Sequence, residues 1–260
     1  MIFHYLKIAF RNLCKHKTQN IISIIGLAVG LLCFCVCIYC SRFVESTDHC
    51  FANHDRIAEL NLYDGKADRY FSGSPVPLAE ELRTWALGET EAISSVTYPR
   101  ERPYYVELSP EKTLPYELET IEIDTCYNKI FTQEMVAGHW KMASQSLNSV
   151  ILSQSMAIKI FGNAESAIGK HMTLMRRLNT SPESTPKTGG IVYTIQAVMK
   201  DIPLNNSLDF MQNIDMLTVN DSEGLLQSPK RHNMTGANTY VLLSPQTTCT
   251  DLEKRFFQRD

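Results

Sequence analysis

The hydrophobic pattern divides the chain sharply. Residues 21–40, IISIIGLAVGLLCFCVCIYC, run for twenty positions without a charge. At about 1.5 Å per helical residue such a run reaches about 30 Å, the thickness of a bilayer core. Ser23 is its one strongly polar side chain, and a helix can satisfy a hydroxyl through its own carbonyls. The pattern therefore predicts a transmembrane helix over 21–40. A cleaved leader would have a shorter apolar core and a small-residue cleavage site. A buried helix of a soluble protein rarely runs so long without a charge.

The flanks give this span a direction. Lys7, Arg11, Lys15 and Lys17 precede it with no acid among the first twenty residues, whereas Arg42, Glu45 and Asp48 follow it. A Lys/Arg excess marks the cytoplasmic side. Residues 1–20 are thus expected in the cytoplasm and residues 41–260 on the other side of a membrane crossed once. Within 3–17, Leu6, Ala9, Phe10 and Leu13 recur at helical spacing against Lys7, Arg11 and Lys15. That predicts a short amphipathic helix on the anionic lipid surface. Thr18, Gln19 and Asn20 read as a polar turn into the span. Gly26 and Gly30 form G-x-x-x-G around Ala28, a spacing that lets two helices approach closely and makes a homodimer face a candidate.

Beyond the span the periodicities alternate between helical and extended. Residues 41–60 read as a helical exit, and 57–72 as a strand and a turn at Asp64-Gly65. Pro77 can open a helix with Glu80 and Glu81 in its first turn and Leu78, Leu82 and Trp85 inward. Residues 93–108 suggest a strand interrupted at Pro99 and Pro103. In 120–124, Ile121 and Ile123 alternate with Glu122 and Asp124, as in a half-buried strand. The block 148–175 is the most explicit. Val150–Leu152 is a short buried strand. Ser153 or Ser155 caps a helix with Met156, Ala157, Ile160 and Phe161 on one face, and Gly162 stops it. Gly169 turns the chain toward a strand with Met172 and Leu174. Residues 178–190 are a polar loop. Ile191, Tyr193, Ile195, Ala197 and Met199 place one face of a strand inward, KDIPLNNS makes a turn, and 239–243 is a further strand. Residues 250–258 open a helix with Thr250 as cap and Glu253 three residues on. Strands and helices mix without regular βαβ spacing, so the fold class is α+β: one N-terminal transmembrane helix followed by a mixed α+β extracytoplasmic domain.

Composition narrows the chemistry. Mean hydropathy is -0.16, and no second run approaches eighteen apolar residues. With +4 in the first twenty residues and a total of -3, the part beyond the span carries about -7, which argues against nucleic acid as a partner. Of the eight cysteines only Cys50, Cys126 and Cys249 lie beyond the span, too few and too scattered for a disulfide framework. Cys33, Cys37 and Cys40 share one helical face, where thiolates would be costly in lipid. Gly162 to Gly169-Lys170-His171 lacks the spacing and the hydroxyl of a phosphate loop. Neither H-E-x-x-H nor G-x-S-x-G occurs. His49 and His54 lie near Asp48 and Asp55 and read as a solvated exit segment. The residues thus predict no catalytic site, no cofactor and no metal, and the lipid bilayer as the first partner.

The segment YLKIAFRNLCKHKTQNIISIIGLAVGL resembles the opening of MacB/FtsX-type ABC transporter permeases. SVILSQSMAIKIFGNAESAIGK, YTIQAVMKDIPLNNS, SPVPLAEEL and TYVLLSPQTTCTDLEKRF resemble parts of their periplasmic core domain. The resemblance implies a first span (21–40), a MacB-like periplasmic core domain (41–260), and dimers that transmit motion across the membrane with an ABC ATPase subunit and periplasmic exporter components. It also implies three later spans. The sequence ends at Asp260, near where the core domain would close, so the expectation is a permease-type subunit or a truncated remnant of one. The alternative is a single-span anchored periplasmic binding or adaptor module without transport activity.

Overall fold

The computed structural model describes residues 4–5, 11, 15, 17–85, 87–109, 112–174, 190–208, 213–221, 224–226 and 235–257. The amphipathic segment expected over 3–17 lies mostly outside these residues, as does all but Gly190 of the polar loop expected over 178–190. The chain divides into two compact units, 1–47 and 48–260.

The first unit is dominated by helix α1, Lys17–Glu45, 29 residues with none buried. It is the one helix among the described residues long and apolar enough to cross a membrane. It is longer at both ends than the uncharged run. Thr18, Gln19 and Asn20, expected to form a turn, are its first turn, where the leading N–H groups have no intrahelical partner and polar side chains are well placed. The helical exit expected over 41–60 stops at Glu45, and turns lead to a single 3-10 turn at His54–Arg56.

The described residues of the second unit form thirteen strands. These are β1 (Ile57–Leu60), β2 (Leu62–Asp64), β3 (Arg69–Phe71), β4 (Ser74–Pro75), β5 (Thr90–Thr97), β6 (Arg100–Ser109), β7 (Lys112–Ile123), β8 (Met135–Gly138), β9 (Ser149–Ser153), β10 (His171–Leu174), β11 (Val192–Met199), β12 (Met216–Val219) and β13 (Thr235–Leu243). The helices are α2 (Leu78–Thr84), α3 (Tyr127–Phe131), α4 (Trp140–Gln145), α5 (Gln154–Phe161) and α6 (Cys249–Phe257). β2 and β3 form a separate hairpin, and the other strands form one sheet in the order β1-β13-β5-β7-β12-β9-β11-β10-β6, with β4 added on β13 and β8 on β11. β6 also pairs with β7, so six strands close into a ring: β6-β7-β12-β9-β11-β10. β7 is the shared element. Its first part pairs with β6, and its last residue, Ile123, pairs with Val96 of β5 on the same edge.

Strand alternation sorts the side chains into two main cores. Tyr104, Val106, Leu118, Val150, Leu152, Met172, Tyr193, Ile195 and Met216 pack together inside the ring, and Met156, Ala157 and Ile160 of α5 join them. The next residues along the same strands, Ile121, Ile123, Ile151 and Leu217, face outward. There they pack with Tyr127, Ile130 and Phe131 of α3, Ala143 of α4, and Tyr240 and Leu242 of β13. A third cluster joins Ala79 and Leu82 of α2 to Ile93, Val241, Leu243 and Leu252, with Trp85 and Phe256 against it.

Local chemistry explains the elements. Ser153 caps α5 by accepting from the Met156 N–H at 3.4 Å, and Gly162 ends it at φ 87°, as the sequence pattern predicts. Pro77 precedes α2. The cap of α6 is Thr248, not Thr250. Thr248 accepts from the Asp251 N–H at 3.3 Å, and the Asp251 carboxylate accepts from the Thr248 hydroxyl at 2.6 Å. Three further expectations are corrected. Pro99 does separate two strands, but Pro103 lies inside β6, paired with Glu117. β10 pairs with β6 only at residues 104–106, so the missing donor at Pro103 lies beyond that ladder. Glu122 is not on a solvated face, since it is 3% exposed. The single inward face expected for 191–199 is split, because Gln196 is an extra residue between the pairs Ile195–Val150 and Ala197–Ile151. Such a bulge switches the strand's faces, so Tyr193 and Ile195 join the ring core while Ala197 and Met199 join the outer one.

Candidate functional site

Two places are candidates for a functional site, one in each unit. On α1, Gly26 and Gly30 lie one turn apart, and a Cβ added at either would meet nothing within 4 Å. The large apolar side chains around them, from Ile21 to Tyr39, are 46–75% exposed. Uncovered apolar surface of this extent requires a lipid or protein cover. Helical spacing puts Gly26, Gly30, Cys33 and Cys37 on one face, and both thiols are free and exposed.

In the second unit, polar side chains gather where β7 and β12 end. The Arg102 Nη2 donates to the Glu122 Oε1 at 2.8 Å, and the Leu225 and Leu226 N–H groups donate to its other oxygen. Alternation puts Arg102 and Glu122 on the same strand faces as Tyr104 and Leu118, so the pair closes one mouth of the ring. Tyr193 donates to the Asp221 Oδ2 at 2.9 Å. Burial, and then the Asp221 charge, push its phenol far above the usual range. Burial likewise pushes Tyr104 up to about 12, so both phenols stay protonated. Beside this mouth Asp124 pairs with Arg83 and accepts from the Ser94 hydroxyl at 2.7 Å, the Ser95 N–H at 3.0 Å and the Cys126 N–H at 2.9 Å. A cavity of about 440 Å³ opens here, lined by Glu80, Arg83, Ser95, Glu122, Asp124 and Asp221 among others.

Sequence reading did not find this network. Arg102 and Glu122 are twenty residues apart, and nothing in the pattern foretells that β6 and β7 pair in the register that joins them. The histidines it noticed are indeed adjacent. The His49 and His54 ring centroids are 4.3 Å apart, and His54 contacts Asp55 at 3.1 Å. Burial, with the Asp48 charge, raises the Cys50 thiol beside them. Among the described residues no group of three or more His, Cys, Asp or Glu is placed to hold a metal ion. Gly162 and Gly169 are a helix stop and a turn, both at positive φ.

No protein-family model and no curated protein matches the chain. Solved structures do. A domain of a protein described as a permease, from Porphyromonas gingivalis, superposes with a TM-score of 0.60 at 21% identity, over 80% of this chain and 84% of that one. The periplasmic region of MacB from Actinobacillus actinomycetemcomitans superposes with a TM-score of 0.51 at 13% identity, over 83% and 86%. The extracellular domain of the noncanonic ABC-type transporter YknZ from Gram-positive bacteria gives 0.45 at 13% identity, over 76% and 87%. The chain is thus an α+β protein with one N-terminal apolar helix, and its large unit has the fold of a MacB-type periplasmic domain.

Proposed function

We propose that this chain is a permease-type membrane subunit, anchored through α1 in a bacterial inner membrane with its N-terminus in the cytoplasm. Its large domain acts outside, in export or mechanotransmission, with an ABC ATPase and periplasmic exporter components. The observation that carries this reading is the pairing of a MacB-type periplasmic fold with a 29-residue apolar helix ahead of it, none of whose residues is buried. The Lys/Arg excess before the helix supports the orientation. Protease added to spheroplasts should digest the large domain and spare the first twenty residues; a protected domain would reject the topology. Reconstitution in liposomes with the ATPase of the same organism's system should alter ATP hydrolysis. A flat response from a folded protein would reject the permease reading in favour of an adaptor.

The same proposal makes Gly26 and Gly30 the contact face of a homodimer. Mild oxidation of membranes should then cross-link copies through Cys33 or Cys37, on the same face. Gly26→Ile with Gly30→Ile should abolish the cross-link, while Leu27→Ile should not. Equal cross-linking in all three proteins would reject this face.

A further inference from the structure

We propose that a cavity at the start of the large domain binds a zwitterionic phospholipid headgroup that carries a phosphate and a primary ammonium, as in phosphatidylethanolamine. The proposal rests on the membrane-anchored reading of α1. The cavity has a volume of about 510 Å³, and residues 49–52, 54, 132–134 and 200–203 line it. Ligand pockets typically measure about 300–1,000 Å³. Chain length keeps this one near the lipid surface. α1 continues from Cys40, the last residue of the apolar run, to Glu45. Five helical residues rise about 7 Å, roughly the thickness of one headgroup layer. His49 comes four residues after Glu45, and four residues span at most about 14 Å. A lipid can therefore place its head in the cavity while its acyl chains stay in the bilayer.

The lining suits a head of both signs on an apolar stem. Phe51 and Ile202 supply an apolar floor; both are buried and belong to the outer core, where Phe51 meets Phe131 edge-on at 5.0 Å. The walls are tied to one another. The Ala52 N–H donates to the Thr132 Oγ1 at 3.1 Å, and the Gln133 Nε2 donates to the Lys200 carbonyl at 2.9 Å. A cavity held open in this way has little ordering left to do when a ligand enters. Lys200 and Glu134, both lining residues, pair at 2.9 Å with side chains 61% and 69% exposed. So exposed a pair contributes little, and its members are free to exchange each other for a ligand of both signs. The Lys200 ammonium then meets the phosphate, and the Glu134 carboxylate meets the ligand's ammonium. A phosphate without an ammonium would cost Glu134 its partner and return none. A quaternary ammonium has no N–H to donate to that carboxylate.

The test is photo-cross-linking of the full chain in liposomes that hold equal amounts of phosphatidylethanolamine, phosphatidylglycerol and phosphatidylcholine. A diazirine amino acid replaces either Ala52, exposed in the cavity wall, or Leu31, exposed in the middle of α1, and mass spectrometry identifies the lipid adducts. At position 31 the three lipids should appear in their bilayer proportions. At position 52 we expect phosphatidylethanolamine to exceed each of the others about tenfold, the value of one charge-assisted hydrogen bond. Lys200→Gln and Glu134→Gln, at exposed positions, should each bring that preference close to parity with the melting temperature unchanged. Adducts at 31 with none at 52, the same proportions at both positions, or a preference indifferent to both substitutions would overturn the proposal. Retention of free phosphoethanolamine with no lipid adduct at 52 would assign the cavity to a soluble ester and overturn the lipid assignment. Absence of adducts at 31 would instead reject the anchored reading itself, so the two failures are distinguishable.

Discussion

Arg102→Ala should be among the most damaging single substitutions outside the apolar cores. Glu122 is 3% exposed at the mouth of the ring and Arg102 is 22% exposed, 2.8 Å away. Removing one member of a buried pair typically costs about 3–5 kcal/mol, because the other charge stays buried without its partner. Two backbone donors, from Leu225 and Leu226, remain on Glu122, which sets the expectation at the lower end, about 3 kcal/mol. For a domain of this size that corresponds to a fall of about 6–12 °C in melting temperature. Glu122→Gln leaves the guanidinium within reach of water and keeps an oxygen for the Leu225 N–H, so about 1–2 kcal/mol is expected. The double variant Arg102→Ala, Glu122→Gln removes both charges, so no carboxylate is left buried without its partner. It should lie close to Glu122→Gln alone, giving a coupling of at least about 1 kcal/mol. Thermal and denaturant unfolding in detergent, followed by the two tryptophans, would measure this cycle. A loss below about 1 kcal/mol for Arg102→Ala, or strict additivity in the double variant, would refute the account of the mouth as a mutually dependent buried pair.

Gly138→Ala should destabilise by about 3 kcal/mol or more, since φ is 71° and the new Cβ would lie 2.3 Å from the Gln196 carbonyl oxygen and 2.8 Å from the Ala197 Cα. Gly162→Ala, at φ 87° with nothing within 4 Å, should cost only about 1 kcal/mol; comparable melting temperatures for the two variants would contradict this. Glu59 has its carboxyl raised by burial and by the Asp48 charge, so its ionised form opposes folding at neutral pH. Glu59→Gln should therefore raise the melting temperature at pH 7. The gain should vanish as the pH falls through the raised range, where the native protein takes up the proton first; a gain that grew on acidification would contradict the sign.

The elements legible in the sequence are those whose signals are local. Twenty uncharged residues specify α1, and the run from Val150 to Leu174 carries its strand, cap, helix face and two glycine stops within a few positions of one another. Glu122 was misplaced for the opposite reason. Its neighbours alternate as they would on a half-solvated strand, and only long-range pairing with Arg102, Leu225 and Leu226 allows a charge to be buried there. Thr248 and Thr250 each have an acid three residues on, Asp251 and Glu253. The reciprocal bonds of Thr248 and Asp251 decide between them. Asp124 and Ser95 carry no local signal, since their cleft exists only once α2 lies across β5.

The bulge in β11 joins these levels. A regular strand would send alternate residues to one core only, as the pattern Tyr193, Ile195, Ala197, Met199 suggests. The extra Gln196 lets the strand serve the ring interior before it and the outer core after it, while Val198 returns to the interior opposite Leu152. A bulge also leaves irregular backbone that a neighbouring strand must fit. β8 meets it there, pairing Gly138 with Ala197, and the approach to the Gln196 carbonyl leaves no room for a side chain. The glycine and the extra residue are therefore two halves of one device. Filling Gly138 should damage both cores at once, because the strand it would displace packs into both.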